Sequence, residues 1–296
     1  TVWSYNPTWY REILGHLDCC RVFRKGETPA DWRIAVTVCG HRGIIMLDGE
    51  GNKMWQHSDR HFESIDICHL IPGDDRTQIT VEQQGWLIAD TFGTLLRLDV
   101  DLEPVWEAPY RAGSGIYRAP VVDGDQILLA TTRDQIQSVS LADGVWRWTY
   151  KREVARTSME LAILGAPAPV VDGEEVIAGF SDGAVAGLDR SSGRARWEVR
   201  VGDGQFPDIE AEVIVHQSVI IAAAFGGPVL GLDRTTRRVL WTVQDAGAVS
   251  TMEIADGAIY TSDSKGRVHS IDAMTGEVAW TWEVPNKIFG PPRRAG

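Results

Sequence analysis

One pattern of thirteen residues recurs along this chain, and it constrains the fold more strongly than any other feature. Its clearest copies run from Val185 to Trp197 and from Val268 to Trp280, each with an apolar run, an Asp, a short turn and a closing Trp. Ser140 replaces the Asp in the third copy, and the turn is one residue shorter in the first two. Six copies align, and they end at Trp55, Trp106, Trp148, Trp197, Trp241 and Trp280. A period of 39 to 51 residues indicates one structural unit used repeatedly.

Each repeat also has an upstream half that is rich in β-branched residues. Ala119 to Gly124, Ala168 to Gly173 and Glu253 to Gly257 each end in Asp-Gly and precede a second apolar run. Asp-Gly between such runs is a strong hairpin signal. A sheet of four short strands is too small to be stable by itself. Repeating that sheet radially buries its faces against neighbouring sheets and shields its strand edges. The sequence therefore predicts an all-β fold, a β-propeller with four-stranded antiparallel blades.

The number of blades follows from what the six complete repeats leave over. Residues 1–11, which include a possible further anchor in Trp3, and residues 286–296 lie outside the repeats. Together they could supply a partial seventh blade in which the two termini close the ring. We therefore predict seven blades, with six as the alternative. We predict one domain over residues 1–296, in which 1–78 differ in composition from the regular repeats of 79–296.

The repeated residues have physical tasks that need no catalysis. The Asp after the third strand can accept N–H bonds from the turn that follows, and the turn Gly supplies a positive φ. The Trp offers a large flat surface to a neighbouring blade. We expect purely structural roles for Asp48, Asp99, Asp189, Asp233 and Asp272, and for Trp55, Trp106, Trp148, Trp197, Trp241 and Trp280.

The charge balance excludes some function classes. A formal net charge of −12 and a pI near 5 argue against a nucleic-acid binder, which needs a basic surface to displace counterions. No run of 18 apolar residues occurs, so we expect no transmembrane helix. The opening residues lack the charged and apolar regions of a signal peptide.

The pattern Leu-Asp-x-x-Thr/Ser-Gly-x-x-x-Trp resembles the repeat of pyrroloquinoline-quinone-type propellers. The segments that begin at Gly113, Gly165, Gly179 and Phe206 are similar to BamB-type proteins, and this resemblance covers about residues 79–290. It implies a non-enzymatic scaffold for outer-membrane protein assembly, and we expect a monomer without a cofactor. It also implies a periplasmic or outer-membrane-associated location and the assembly barrel BamA as protein partner. The chain differs from that family in its first quarter and in the absence of a lipid-anchor cysteine at a mature N-terminus.

The first quarter has an unusual composition. All four Cys and five of the seven His precede residue 70. Residues 12–80 resemble rhamnogalacturonan-lyase-like propellers, which act on polysaccharides. One alternative is therefore a carbohydrate-active, lyase-like propeller. Another is a chimera of two propellers, made by recombination or by design, with no native activity.

Seven of these Cys and His residues are candidates for a metal site, because thiolate and imidazole are the preferred ligands of zinc. The candidates are His16, Cys19, Cys20, Cys39, His41, Cys68 and His69. They contain no CxxC pair, and cysteines on strands are often small buried hydrophobic residues, so we expect no metal. The adjacent Cys19 and Cys20 resemble the vicinal disulfide of quinone-dependent dehydrogenases, or they alternate between the two faces of a strand. The redox compartment therefore stays open.

A lyase site would need a base and a cation to stabilise an enolate. His, Tyr and Arg residues of the right types are present, and surface or core-edge positions are the alternative for them. They are His41, His61, His69, Tyr10 and Tyr117, with His16 and Arg60. We expect no catalytic residues in this chain.

Overall fold

The computed structural model describes residues 17–24, 27–38, 43–57, 65–70, 85–152, 166–202, 207–225, 227–244, 246–247, 252–263 and 265–285. Secondary structure within these ranges consists of β-strands and a single-turn 3-10 helix at Pro29–Asp31.

The strands of the first three sheets are β1 (Leu17–Arg24), β2 (Trp32–Val38), β3 (Gly43–Leu47), β4 (Lys53–His57), β5 (Ile65–Leu70), β6 (Gly85–Asp90), β7 (Thr94–Leu98), β8 (Tyr110–Arg111), β9 (Val121–Asp123), β10 (Gln126–Thr131), β11 (Gln135–Ser140) and β12 (Trp146–Lys151). The strands of the other three are β13 (Val170–Asp172), β14 (Glu175–Gly179), β15 (Ala184–Asp189), β16 (Ala195–Arg200), β17 (Ile214–His216), β18 (Val219–Ala223), β19 (Val229–Asp233), β20 (Val239–Val243), β21 (Glu253–Ala255), β22 (Ala258–Ser262), β23 (Arg267–Asp272) and β24 (Val278–Glu283).

The described strands form six four-stranded sheets, each built from four strands consecutive along the chain. We call these sheets blades 1 to 6 in chain order. This arrangement confirms the predicted all-β fold with four-stranded antiparallel blades. Residues 1–11 and 286–296, to which we assigned a partial seventh blade, lie outside the described residues. The seventh blade and the closure by both termini therefore stay predictions.

The chain divides into two compact units. One comprises residues 1–131 with 139–146, and the other comprises residues 132–138 with 147–296. The division runs through blade 3. The single domain that we expected over residues 1–296 stays a prediction.

Each unit has its own apolar cores. In the first unit, Ile44, Trp86 and Leu98 belong to one core cluster, and Leu95 and Ile127 belong to another. In the second unit the two core clusters are built mainly from the middle strands of blades 4, 5 and 6. All six residues of β6 and of β10 are buried, which requires cover on both faces of those strands.

The fourth strands are more exposed than the middle ones and carry a common irregularity. The pairing of third and fourth strands shifts register in four blades, directly after the residue opposite the anchor Trp. In blades 4 and 5 that opposite residue is glycine, Gly187 facing Trp197 and Gly231 facing Trp241. A Cβ atom on either glycine would overlap the facing indole. The bulge and the glycine together let the indole lie across its own third strand.

The turn between the third and fourth strands is organised by its Asp. Asp189 Oδ1 accepts the N–H groups of Ser191 at 3.1 Å and Ser192 at 2.9 Å. The Ser191 hydroxyl, also bonded to this carboxylate, contributes most to holding the pKa of Asp189 below its usual value. Asp side chains accept N–H bonds in the same way at Asp48, Asp99, Asp233 and Asp272.

The anchor tryptophans pack against the corresponding turn of the following blade. The ring of Trp148 lies under Gly193, and its indole N–H donates to the Arg190 carbonyl oxygen at 3.2 Å. The ring of Trp106 likewise lies under Gly144, and its indole N–H donates to the Leu141 carbonyl oxygen at 3.1 Å. The ring of Trp241 lies under Gly276. Trp55 packs against the core cluster that contains Leu102, whose φ is 72°.

Trp197 makes this contact with an arginine in place of glycine. Arg237 occupies the left-handed position with φ 63°, and its guanidinium carbon lies 4.6 Å from the centre of the Trp197 ring. Glu175 accepts from both side chains, at 2.6 Å from Arg237 Nη2 and 3.0 Å from Trp197 Nε1. The cation–π contact and the ion pair offset the cost of a side chain in the left-handed region.

Two anchors depart from the expected placement. Trp106 lies between β7 and β8 rather than on a fourth strand, because Pro104 has no amide hydrogen for the ladder and pairs with Leu98 only as an isolated bridge. Trp280 lies on β24 but stays 46% exposed, beside Tyr260 with ring centres 6.1 Å apart.

The indole contact predicts different costs for two similar substitutions. Gly193→Ala and Gly173→Ala both put a side chain at positive φ, which costs about 1–2 kcal/mol each. A Cβ at Gly173 meets no atom within 4 Å, whereas a Cβ at Gly193 overlaps the Trp148 ring. We expect Gly193→Ala to lower the free energy of unfolding by about 1–3 kcal/mol more than Gly173→Ala, measured by urea titration. Equal losses for the two variants would show that the turn does not press on the indole.

Candidate interaction surfaces

The Cys and His candidates fall partly on described strands. Cys19 and Cys20 lie on β1, where they pair with Thr37 and Val36 of β2. Cys68 and His69 lie on β5, opposite Leu87 and Trp86 of β6. His16, Cys39 and His41 lie outside the described residues, as do His61, Tyr10 and Arg60 of the hypothetical lyase site. Within the residues that the structure describes, no group of three or more His, Cys, Asp or Glu could hold a metal ion. The expected lack of a metal stays a prediction.

Polar side chains converge instead where the second and third strands of blades 3 and 4 turn. Asp134, before β11, is 3% exposed and accepts from the backbone N–H of Ser181 at 3.1 Å. The Ser181 hydroxyl donates to the other oxygen of the same carboxylate. The two residues are 47 positions apart. This pair therefore ties one blade turn to the next.

Arg152, at the end of blade 3, extends this network. Its guanidinium binds both carboxylate oxygens of Glu198 at 2.8 Å and approaches Asp182 at 2.7 Å. It also lies 5.5 Å from the centre of the Phe180 ring. The bond to Glu198 is the largest cause of a raised pKa for Arg152, and the same bond holds the pKa of Glu198 below its usual value. The ion pair keeps both charges in place on the second unit.

The pKa values of two acids in this region move upward. Burial raises the pKa of Asp134 against the opposing effect of the Ser181 hydrogen bonds. Burial also raises the pKa of Asp208, and the charge of Asp134 adds to that rise. Asp134 is buried and hydrogen-bonded to Ser181, whereas Asp208 is half-buried.

The backbone at Asp134 adopts a conformation for which other blades have glycine. Asp134 has φ 52° at a turn position where blades 2, 4 and 6 have Gly93, Gly183 and Gly266, all with positive φ. An Asp accepts a backbone strain there that glycine avoids. The carboxylate contact with Ser181 is the compensation.

A third kind of feature is an exposed ring at a turn tip. Phe92, between β6 and β7, is 59% exposed. Sequence reasoning missed both this ring and the Asp134–Ser181 pair, because we examined the residues that repeat. Phe92 and Asp134 both depart from the repeat, and aligning the turns between second and third strands would have shown these two residues, though not the partner Ser181.

Comparison with known proteins identifies the class. A profile of the family "Outer membrane protein assembly factor BamB" matches residues 40–282. The fold is a β-propeller, since BamB from Moraxella catarrhalis superposes with a TM-score of 0.67 at 22% identity, over 92% of this chain and 80% of that one. Sqt1 of Saccharomyces cerevisiae shares only the fold, with a TM-score of 0.65 at 11% identity. The chain belongs to the BamB family.

Curated relatives agree with this assignment. The BamB protein of Moranella endobia is 27% identical over 168 residues, which cover 54% of this chain and 42% of the relative. The BamB protein of Bordetella pertussis is 22% identical over 292 residues, which cover 93% of this chain and 64% of the relative. The chain thus spans 42% to 65% of the length of the curated relatives that it matches.

These matches bear on the other interpretations of the first quarter. The family match crosses position 78, so it does not favour a junction there between two different propellers. The same match does not favour a lyase-like propeller. Among the described residues, no helix is long and apolar enough to cross a membrane.

The Asp134–Ser181 pair predicts energetic coupling. Either Asp134→Ala or Ser181→Ala alone removes the hydrogen bond between the two side chains. The double variant should therefore lose less unfolding free energy than the sum of the two single losses. We expect a coupling of about 1–3 kcal/mol in a double-mutant cycle of unfolding free energies. Asp134→Ala combined with Thr261→Ala is the control, since Thr261 Oγ1 donates to the Ala246 carbonyl oxygen elsewhere. Additivity in both cycles would contradict the link between the turns.

Proposed function

We propose that this chain is a non-enzymatic scaffold that binds protein partners during outer-membrane protein assembly. The observation that carries the proposal is the family match over residues 40–282, which takes in most of the repeat array. The names of the curated relatives, outer membrane protein assembly factors, support the same role.

The physical arrangement of the blades suits such a role. The repeated Asp and Trp residues are occupied in turns and in contacts between blades, as shown for Asp189 and Trp148. What remains available to a partner is the set of turns, held in place by these contacts. Binding residues are commonly carried on loops that a rigid scaffold positions.

The partner and the location extend the proposal. The assembly barrel BamA is the protein partner, and the site of action is the periplasm or the inner surface of the outer membrane. The chain acts as a monomer without a cofactor. Nucleic acid is not a partner, because a net charge of −12 opposes the approach of phosphate.

A binding measurement tests this proposal. The immobilised chain should bind the periplasmic region of the BamA encoded in the same genome, with saturation by biolayer interferometry. Yeast Sqt1 is the matched control, because it has the same fold at 11% identity and should give no signal. No binding by the chain, or equal binding by Sqt1, would contradict the scaffold role.

The lyase alternative is tested on the same preparation. Eliminative cleavage of pectic or ulvan polysaccharide creates an unsaturated product that absorbs in the ultraviolet. We expect no increase in absorbance above that of the Sqt1 control. A steady increase proportional to protein concentration would show that the chain is an enzyme.

A further inference from the structure

The turn between the second and third strands gives an internal comparison across blades. The residue just before the left-handed position is Phe92 in blade 2, Arg133 in blade 3, Asp182 in blade 4 and Lys265 in blade 6. Charged residues suit a hairpin tip in water, and blades 3, 4 and 6 have them at this position. The turn of blade 5 differs, because it reads Ala224-Phe225-Gly226-Gly227 and its Phe225 is half-buried. Phe92 is therefore an exposed apolar residue at a position where three other blades have a charge.

The Phe92 ring is presented on a fixed backbone. Asp90 Oδ1 accepts the N–H groups of Phe92 at 2.9 Å and Thr94 at 2.7 Å. The Asp90 carbonyl oxygen accepts from Ile116 N at 3.1 Å, and the Gly93 carbonyl oxygen accepts from Ala112 N at 2.7 Å. The turn is thus bonded both within itself and to the segment after β8. A ring held in this way loses little conformational entropy when a partner covers it.

Three of the other exposed apolar side chains have an explanation within the repeat. Trp146, Val239 and Val278 each lie two residues before an anchor Trp and are all exposed. Because three blades share this exposure, it is a consequence of how the fourth strand is placed in each blade. Among the equivalent turns that the structure describes, none has an apolar side chain as exposed as Phe92, which calls for a separate cause.

The neighbourhood of Phe92 also carries positive charge. Arg111 on β8 is exposed, pairs in register with Thr94, and donates from Nη1 to the Thr94 hydroxyl at 2.5 Å. Arg111 thus places a cation on the strand that pairs next to the Phe92 turn, in a chain of net charge −12. Large aromatic residues and arginines are the residue types that dominate protein interfaces.

We propose that Phe92 is the anchor residue of the partner-binding surface, inserting into an apolar cleft of a protein partner whose rim carries carboxylates facing Arg111. The proposal rests on the proposed function, because it takes the periplasmic region of BamA as that partner. The turn of blade 2 would then be the contact that decides the lifetime of the complex.

The experiment compares three variants of the full chain in binding to the periplasmic region of BamA. Phe92→Ser should weaken binding by about thirtyfold or more, mainly through faster dissociation. Phe92→Leu should retain most of the affinity, because it keeps the ring's apolar volume in part. Trp146→Ser removes a comparably exposed aromatic side chain, 56% against 59%, and should leave binding unchanged. Equal melting temperatures of Phe92→Ser and the parent chain establish that folding is intact.

The outcomes separate this inference from the proposed function. If the parent chain does not bind BamA, the proposed function itself fails. If the parent binds and Phe92→Ser binds equally well, only the anchor role is overturned. Loss of binding in both Phe92→Ser and Trp146→Ser would also overturn it, since any exposed ring would then serve.

Two further measurements address other occupants of the Phe92 surface. Sedimentation with vesicles of phosphatidylethanolamine and phosphatidylglycerol, lost in Phe92→Ser, would assign the ring to the membrane and overturn the proposal. A dimer in the ultracentrifuge that Phe92→Ser dissolves would assign it to a second copy, with the same consequence. No vesicle binding and a monomer for both proteins support a protein partner.

Discussion

The stacking of an indole ring on the turn of the following blade is the contact on which the described structure depends. An indole ring buries a large area only where the neighbouring surface contacts the whole face of the ring. A turn with a residue in the left-handed conformation brings its backbone into contact with that face. The glycine at Gly193 follows from this need. In blade 4 the bulge beside Trp197 lets that ring lie across its own third strand. The Asp of the turn then holds the turn in the shape that the ring requires.

This dependence explains which features could be predicted from sequence. The anchors and the Asp turns are local patterns repeated many times, so comparison of copies shows them without any structure. Trp106 departs from the pattern because Pro104 interrupts the hydrogen bonds between the third and fourth strands of blade 2. Because this proline is present in the sequence, the interruption could have been predicted. The same comparison shows that Asp134 replaces a glycine, but it does not show that Asp134 pairs with Ser181. Ser181 lies 47 positions away, and a Ser or Thr occupies its position in blades 2, 3 and 6 as well, so nothing in the alignment marks it as the partner.

Repetition also separates structure from function. A residue present in several blades serves the blade, as Asp189 and Trp148 do. A residue that departs from the repeat lowers the stability of its own turn, so we look for its role outside the blade. Asp134 accepts a left-handed backbone and joins two turns, while Phe92 exposes an apolar ring on a turn that needs no such ring. The scaffold role proposed for this member of the BamB family depends on residues that depart from the repeat, whereas the fold depends on residues that repeat.

The most direct test of this account is the exchange of indole N–H hydrogens, observed by nuclear magnetic resonance with each Trp assigned by substitution. The indole N–H groups of Trp106 and Trp148 donate to carbonyl oxygens of the next turn, whereas Trp282 on β24 is an exposed side chain. We predict slow exchange with deuterium for Trp106 and Trp148 and fast exchange for Trp282. Equally fast exchange at all three positions in the folded protein would contradict the central role of the indole–turn contact.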